Sequence, residues 1–291
     1  MAARDPLKRK RVVIHEDDVG MTHGANVAFV ELSAHGTCSS GSVMVPCPWF
    51  PEVAEIAANN PGLDLGVHLT LTSEQKPYRW RPLTAPPAAA GLTDRHGYFW
   101  PDVPSARRAS PAAVEAELRA QIETALGAGI DPTHLDAHMG TAQMPEFLAI
   151  YRRLGREFRL PVLLVKSLDR YNPASYAGRI DKAAYASEMA AARNEGEPVF
   201  EIVFETPWTR TTDAETAYRS IFAGIADGLT YLALHFNAPG DFETIAPDSA
   251  RFRTEEYQLF RGPRIGEWVQ EFGLEVIGMR ALRDEIRSRR R

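Results

Sequence analysis

The stretch Val12-Val13-Ile14-His15-Glu16-Asp17-Asp18-Val19-Gly20 decides how the rest of the chain is read. Its first three residues are β-branched and apolar, which predicts a buried strand over 12–14, and the aspartates Asp17 and Asp18 follow close behind. Downstream, 26–34 carries an amphipathic helical pattern stopped by Gly36. The same unit recurs along the chain. Apolar runs predict strands over 41–45, 65–71, 134–137, 162–165, 199–204, 229–234 and 274–277. Helical patterns over 51–58, 112–126 and 145–158 begin at or beside a proline, the residue favoured in a first turn. Strand-helix repetition of this kind predicts an α/β fold with a parallel sheet, open or closed into a barrel.

The composition agrees with a globular reading. Of 291 residues, 44% are hydrophobic, 24% charged and 9% aromatic, which excludes a disordered or collagen-like chain. The length suits one large α/β domain or two modest ones, and a single domain over 1–291 is expected. A net charge of −5 lacks the basic excess of a nucleic-acid or anionic-membrane protein. The basic ends, 8–11 and 287–291, read as solvated tails. No apolar run reaches the ~20 residues of a membrane span. Without an apolar stretch near the N-terminus, a cytoplasmic enzyme is expected. Cys38 and Cys47 are too few for a disulfide framework and read as buried thiols. Two segments break the rhythm: 73–109, with Trp80, Tyr98 and Trp100, and 166–196, with Tyr171 and Tyr176. Both are expected to form loops over the substrate pocket. Their aromatic residues could stack on a sugar or pack a small core of their own.

Carboxylates and imidazoles recur where the predicted strands end. Asp17 and Asp18 follow the first strand; His68 lies in Gly66-Val67-His68-Leu69-Thr70-Leu71-Thr72; His134, Asp136 and His138 close the fourth; His235 closes Tyr231-Leu232-Ala233-Leu234. In parallel barrels that rim is where catalytic groups converge. A single Asp-Asp pair could cap a helix, and one strand histidine could be a core residue. So many polar groups at equivalent strand ends point instead to a metal-centred site, because burying them without mutual pairing or an ion costs several kcal/mol. His15, His23, His35 and His96 lack such support and are expected on the surface or in loops.

The motifs His15-Glu16-Asp17-Asp18-Val19-Gly20-Met21-Thr22 with Asn26, Gly36-Thr37-Cys38-Ser39-Ser40, Gly66 to Thr72 and Thr133-His134-Leu135-Asp136-Ala137-His138 together resemble the YdjC/ChbG-like carbohydrate deacetylases. That group includes chitooligosaccharide deacetylases and hopanoid-associated HpnK-like proteins, and the likeness covers roughly 12–282. The resemblance implies a distorted (β/α) barrel of the glycoside hydrolase/deacetylase type. It also implies one divalent metal held by Asp18, His68 and His138, with Asp17 as base and His235 as acid. The chain departs from the family pattern at His15, Glu16, Val19, Thr70, Met139, Gly140 and Phe236, positions that flank the proposed ligands and bear on the choice of substrate. No substrate-binding residue is assigned.

The residue types fit hydrolysis of an amide: three protein ligands leave a metal open positions for water and a carbonyl oxygen. His235 has an intrinsic pKa of ~6.5, suited to protonating a leaving amine. Asp136 could orient a ligand histidine or cap a turn. Adjacent side chains of an extended strand point oppositely, so Asp17 and Asp18 can share a site only if the backbone is irregular there. The ligand set suits Zn or Mg, with Mn, Co or Ni also compatible. The expected activity is removal of an acetyl group from an N-acetylated sugar or conjugate. Hydrolysis of another amide, ester or phosphate bond, or a non-catalytic sugar- or metal-binding barrel, stands beside it. An acetylated sugar is the expected partner, a homodimer is compatible, and neither nucleic acid nor membrane insertion is expected.

Overall fold

The fold was analysed in a computed structural model that describes residues 9–168 and 178–289. Tyr171 and Tyr176 lie outside the described residues. In chain order the elements are β1 (Lys10–Val19), α1 (His23–His35), β2 (Ser40–Val43), α2 (Phe50–Asn59), β3 (Leu65–Leu69), α3 (Val103–Ala106), α4 (Pro111–Gly127), β4 (Leu135–Ala137), α5 (Pro145–Phe158), α6 (Lys182–Asn194), β5 (Ile202–Glu205), α7 (Ala214–Ala223), β6 (Gly228–Leu234), α8 (Phe242–Ile245), α9 (Pro247–Arg261), α10 (Arg264–Glu271), β7 (Glu275–Val276) and α11 (Met279–Ser288).

All strand pairings are parallel, in the order β4-β3-β2-β1-β6-β5, with β7 joining the first part of β1. The two edges of that sheet are joined. Leu135 donates its N–H to Pro161 O at 3.0 Å, Leu163 to Leu135 O at 2.9 Å, Lys166 to Phe200 O at 2.8 Å and Phe200 to Leu164 O at 2.8 Å. The stretch expected as a strand over 162–165 therefore makes only two isolated bridges, Leu135↔Val162 and Val165↔Phe200. It still closes the sheet into a distorted α/β barrel with helices between the strands. The second predicted loop, 166–196, is corrected in its latter half: Asp181 accepts from Ala183 N and Ala184 N and starts α6.

Local chemistry explains the framework. Val12, Val13 and Ile14 are fully buried, as a central parallel strand requires. The α1 cap is Thr22, whose hydroxyl accepts from Ala25 N at 3.0 Å, not either aspartate; Gly36, at φ +76°, ends the helix. Buried Gln121 of α4 pairs with both backbone groups of Thr70, and buried Glu117 accepts from Leu83 N and Thr84 N. These contacts tie the start of the 73–109 excursion to the barrel. Its aromatic residues pack rather than stand open: Trp80 is buried and donates to Thr72 O, and Trp100 donates to Gly91 O.

Register sets the interior. His68 of β3 lies opposite Asp136 of β4, and Gly66 lies opposite Ser42 of β2. A Cβ at Gly66 would press on the His134 ring and carbonyl, so only glycine leaves room for that imidazole. Gly66→Ala should destabilise the protein by about 1–3 kcal/mol, the usual cost of overpacking. A lowered urea midpoint with unchanged slope would show it; an unmoved midpoint would mean the ring yields freely.

Candidate metal centre

Asp17, Asp18, His68, His138 and His235 lie at or just past the C-terminal ends of strands. Along β1 the alternation places Val13, His15 and Asp17 on one face and Ile14 and Glu16 on the other. The alternation breaks next. His15 pairs with Ser40, Glu16 with Gly41 and Val19 with Val43, so three steps on β1 match two on β2. This bulge, with Asp18 in the left-handed region at φ +65°, turns Asp18 to the same side as Asp17. The irregularity demanded by the Asp-Asp pair is thus a one-residue insertion.

Asp18, His68 and His138 come together: Asp18 Oδ1 lies 3.0 Å from His138 Nδ1 and 3.6 Å from His68 Nε2. All three are buried, and their candidate ligand atoms all lie within 4.8 Å of one another, so they could hold one metal ion. Each imidazole is fixed from behind by a carboxylate. Asp136 Oδ1 accepts from His68 Nδ1 at 2.8 Å, and Glu74 Oε2 accepts from His138 Nε2 at 2.9 Å. Ser42 and Tyr231 donate in turn to Asp136 Oδ2 at 2.9 Å and 3.1 Å. Carboxylate-backed imidazoles of this kind are characteristic of metal ligands. Arg253 of α9 donates through Nη2 to Asp18 Oδ2 at 2.8 Å, which leaves Oδ1 buried with no hydrogen bond.

The charge balance agrees with an ion. Asp17, Asp18 and Glu74 line the cavity, Asp136 pairs with His68 behind it, and Arg253 is paired with Asp18. Burial alone would lower His138, but Glu74 and Asp18 raise it to about 10. Burial likewise opposes the shift of Asp18, yet Arg253 and His138 hold its carboxyl well below the usual range. The cluster draws positive charge, whether as protons or as a metal ion. An orphaned oxygen, two backed imidazoles and excess negative charge fit a divalent cation.

Asp17 and His235 face the same cavity of about 250 Å³ from β1 and from the end of β6. Their nearest atoms, Asp17 Oδ2 and His235 Nε2, are 3.9 Å apart. Burial raises Asp17 and lowers His235. The excursion at 73–109 contributes Glu74 and Gln75 to the wall, and the β5–α7 connection contributes Trp208, whose ring centroid lies 4.8 Å from that of His235. Among the loop aromatics, Trp80 reaches the cluster only from behind, edge-on to His138.

One expectation fails. His15 is fully buried, not a surface or loop histidine, whereas His23, His35 and His96 are exposed. Its Nδ1 donates to Asp17 Oδ1 at 2.7 Å and its Nε2 meets His134 Nε2 at 3.0 Å. Burial lowers His15 and His134 to about 4, so both rings are neutral near pH 7. With Nδ1 donating, His15 Nε2 accepts from His134, whose Nδ1 accepts from the Thr133 hydroxyl at 3.0 Å. The alternation of β1 carries this signal, since His15 shares the face of Asp17. Glu74, Arg253 and Trp208 have no local sequence signal, because each reaches the site through tertiary folding.

A parallel α/β barrel with a buried Asp-His-His cluster at its C-terminal rim is the layout of a hydrolase scaffold able to hold one ion. The chain belongs to the YdjC-like protein family, which matches residues 11–271. It is 31% identical over 280 residues, 96% of either chain, to the carbohydrate deacetylase of Thermus thermophilus. It is 32% identical over 152 residues to that of Brevibacillus brevis, covering 52% of this chain and 58% of that one. A solved Enterococcus faecalis V583 protein, provisionally assigned to cellobiose-phosphate cleavage, superimposes with a TM-score of 0.74 at 21% identity, over 94% of this chain and 99% of that one. Among the described residues no helix is long and apolar enough to cross a membrane.

His15→Ala should leave Asp17 Oδ1 and His134 Nε2 without their partner, at about 1–3 kcal/mol for each orphaned group. His15→Asn, which keeps an amide donor, should cost less. Denaturant unfolding of both variants checks the ranking; equal stabilities for Ala and wild type would contradict it.

Proposed function

We propose that this chain is a metal-dependent carbohydrate deacetylase that removes the acetyl group from an N-acetylated sugar or sugar conjugate. The observation that carries the reading is Asp18 Oδ1, buried 3.0 Å from His138 Nδ1 and 3.6 Å from His68 Nε2, between two imidazoles that are each backed by a carboxylate. The relatives named carbohydrate deacetylase supply the substrate class. Asp18, His68 and His138 would hold one divalent ion. Two imidazole nitrogens beside one carboxylate favour Zn over Mg, which prefers an all-oxygen shell. A cytoplasmic location belongs to the same proposal and is supported by two free, buried thiols at Cys38 and Cys47.

When bound, the ion supplies Lewis acidity, acidifying a water molecule and polarising the acyl oxygen. The protein groups do the rest. Asp17, steered by His15, takes the proton from the water that attacks the acyl carbon. The carbon–nitrogen bond breaks as His235 takes up at Nε2, the nitrogen that faces Asp17, the proton that Asp17 has removed and gives it to the leaving amine. Trp208, Met139 and Gln75 line the same cavity. Water and amide become carboxylate and amine, with one proton taken at Asp17 and one returned at His235.

Two variants separate the roles. Asp18→Ala should lose stoichiometric zinc, since two ligands hold an ion poorly. Asp17→Asn should keep zinc and the fold while acetate release from N-acetylated chitooligosaccharides falls ~10²–10⁴-fold. Metal content, melting temperature and acetate measured on the same preparations decide. Full turnover by Asp17→Asn, or full zinc occupancy in Asp18→Ala, would contradict the assignment.

A further inference from the structure

Behind His235, on the side away from the cavity, lies a closed set of polar contacts that the reaction above does not use. Glu256 of α9 is fully buried. Its Oε2 accepts the backbone N–H of His235 at 2.6 Å, and its Oε1 accepts the hydroxyl of Thr206 at 2.8 Å and that of Tyr218. Thr206, just past β5 and itself buried, lies with its Oγ1 2.9 Å from His235 Nδ1. A hydroxyl has one proton. Burial raises Glu256 to about 7, so at pH 8 it is ionised. With the Thr206 proton committed to that carboxylate, Thr206 can only accept from the imidazole, and Nδ1 carries a hydrogen. The free lone pair of the neutral ring then sits on Nε2, the atom that faces Asp17 across the cavity.

We propose that Glu256 and Thr206 are positioning residues that fix His235 in its Nδ1–H tautomer and aim Nε2 at the reacting group. The inference rests on the reading of His235 as the acid. Its logic is that of a triad with a hydroxyl inserted between carboxylate and imidazole. The carboxylate fixes the direction of the hydroxyl, the hydroxyl fixes the tautomer, and the same line of dipoles stabilises the imidazolium that forms when Nε2 is protonated. No proton passes along the line. His235 gains and loses its proton at Nε2 alone, so no tautomer exchange interrupts turnover. Glu256 also accepts the His235 backbone N–H, which makes one side chain responsible for both the position and the polarity of the ring.

Two substitutions at one position isolate the effect. Thr206→Val keeps the shape and removes the hydroxyl; Thr206→Ser keeps the hydroxyl. In nitrogen-15 spectra of the full chain labelled at histidine, His235 is identified by the signals lost in His235→Gln. At pH 8 the wild type and Thr206→Ser should show a protonated Nδ1 and an unprotonated Nε2. Thr206→Val should show a mixture or the opposite tautomer. A wild-type ring protonated at Nε2, or a Thr206→Val spectrum identical to wild type, would overturn the proposal. In turnover of N-acetylated chitooligosaccharides, Thr206→Val should lower kcat at least tenfold with KM and metal content unchanged. That loss should not exceed that of His235→Ala, ~10²–10⁴-fold for a lost general acid. Thr206→Ser should recover most of it. If His235→Ala leaves kcat intact, the acid role fails while the tautomer result stands. If His235→Ala is slow and Thr206→Val is not, the positioning role fails.

Discussion

The architecture of the site depends on one extra residue in β1. In a regular strand Asp18 would point away from Asp17, into the layer where Glu16 accepts the N–H of Phe236. The insertion between Glu16 and Val19 turns both carboxylates to the cavity and leaves Asp18 at φ +65°, a conformation that costs a residue with a Cβ roughly 1–2 kcal/mol. Several contacts hold it there. Met21 N–H donates to Asp18 O at 2.9 Å, Met44 N–H to Val19 O at 2.7 Å and Gly20 N–H to the Asn26 side chain at 2.7 Å. Arg253 then fixes the carboxylate itself. Strain of this size persists only where the surroundings over-determine it, and here they belong to β2, α1 and α9.

The barrel interior is correspondingly polar. Many parallel barrels fill this space with branched aliphatic side chains. Here His15, Ser42, His68, His134, Asp136 and Tyr231 occupy it, all buried: Ser42, His68 and Tyr231 are hydrogen-bonded to Asp136, His15 is hydrogen-bonded to His134, and His15 Nε2 lies 3.6 Å from Asp136 Oδ2. Such a network is stable only when each donor meets an acceptor. The Asp136 carboxylate is its hub: it accepts from His68, Ser42 and Tyr231, and with burial opposing the shift, His68 holds it well below the normal carboxylate range. The hub therefore stays ionised and orients His68, and the excess negative charge is left at the rim, beside Asp18 Oδ1.

Much of this was legible in the sequence. Alternating apolar runs and helical patterns gave the parallel sheet, and polar residues at strand ends gave the rim, because both follow from local periodicity. The 162–165 run was apolar enough to read as a strand, but its backbone forms isolated bridges to Leu135 and Phe200 that close the barrel rather than a regular ladder. His15 departs from its surface or loop expectation because a lone histidine in an apolar strand carries no signal; only its spacing of two from Asp17 puts both on one face. Helix α9 hid more. The run Arg251-Phe252-Arg253-Thr254-Glu255-Glu256 reads as a solvated helix face, yet Arg253 and Glu256 are buried one turn apart, one against Asp18 and one against His235. Nothing in local charge patterning separates these two from their exposed neighbours; only the docking of α9 over the rim does so. Glu74 escaped for a similar reason, since its partner His138 is distant in sequence.

The central claim is that the cation belongs at Asp18, His68 and His138 and not in the deeper polar interior. His15, His134 and Asp136, and likewise Asp17, His68 and Asp136, also gather donor atoms closely enough to hold an ion, so the locations compete on geometry. In the deeper group the two facing imidazole nitrogens are already hydrogen-bonded to each other and Asp136 is saturated, whereas Asp18 Oδ1 is not hydrogen-bonded. An anomalous difference map at the zinc edge, from crystals of the full chain grown with zinc, measures this directly. The account predicts one strong interior peak within bonding distance of Asp18, His68 and His138. A peak at His15, His134 and Asp136, or zinc confined to the protein surface, would contradict it.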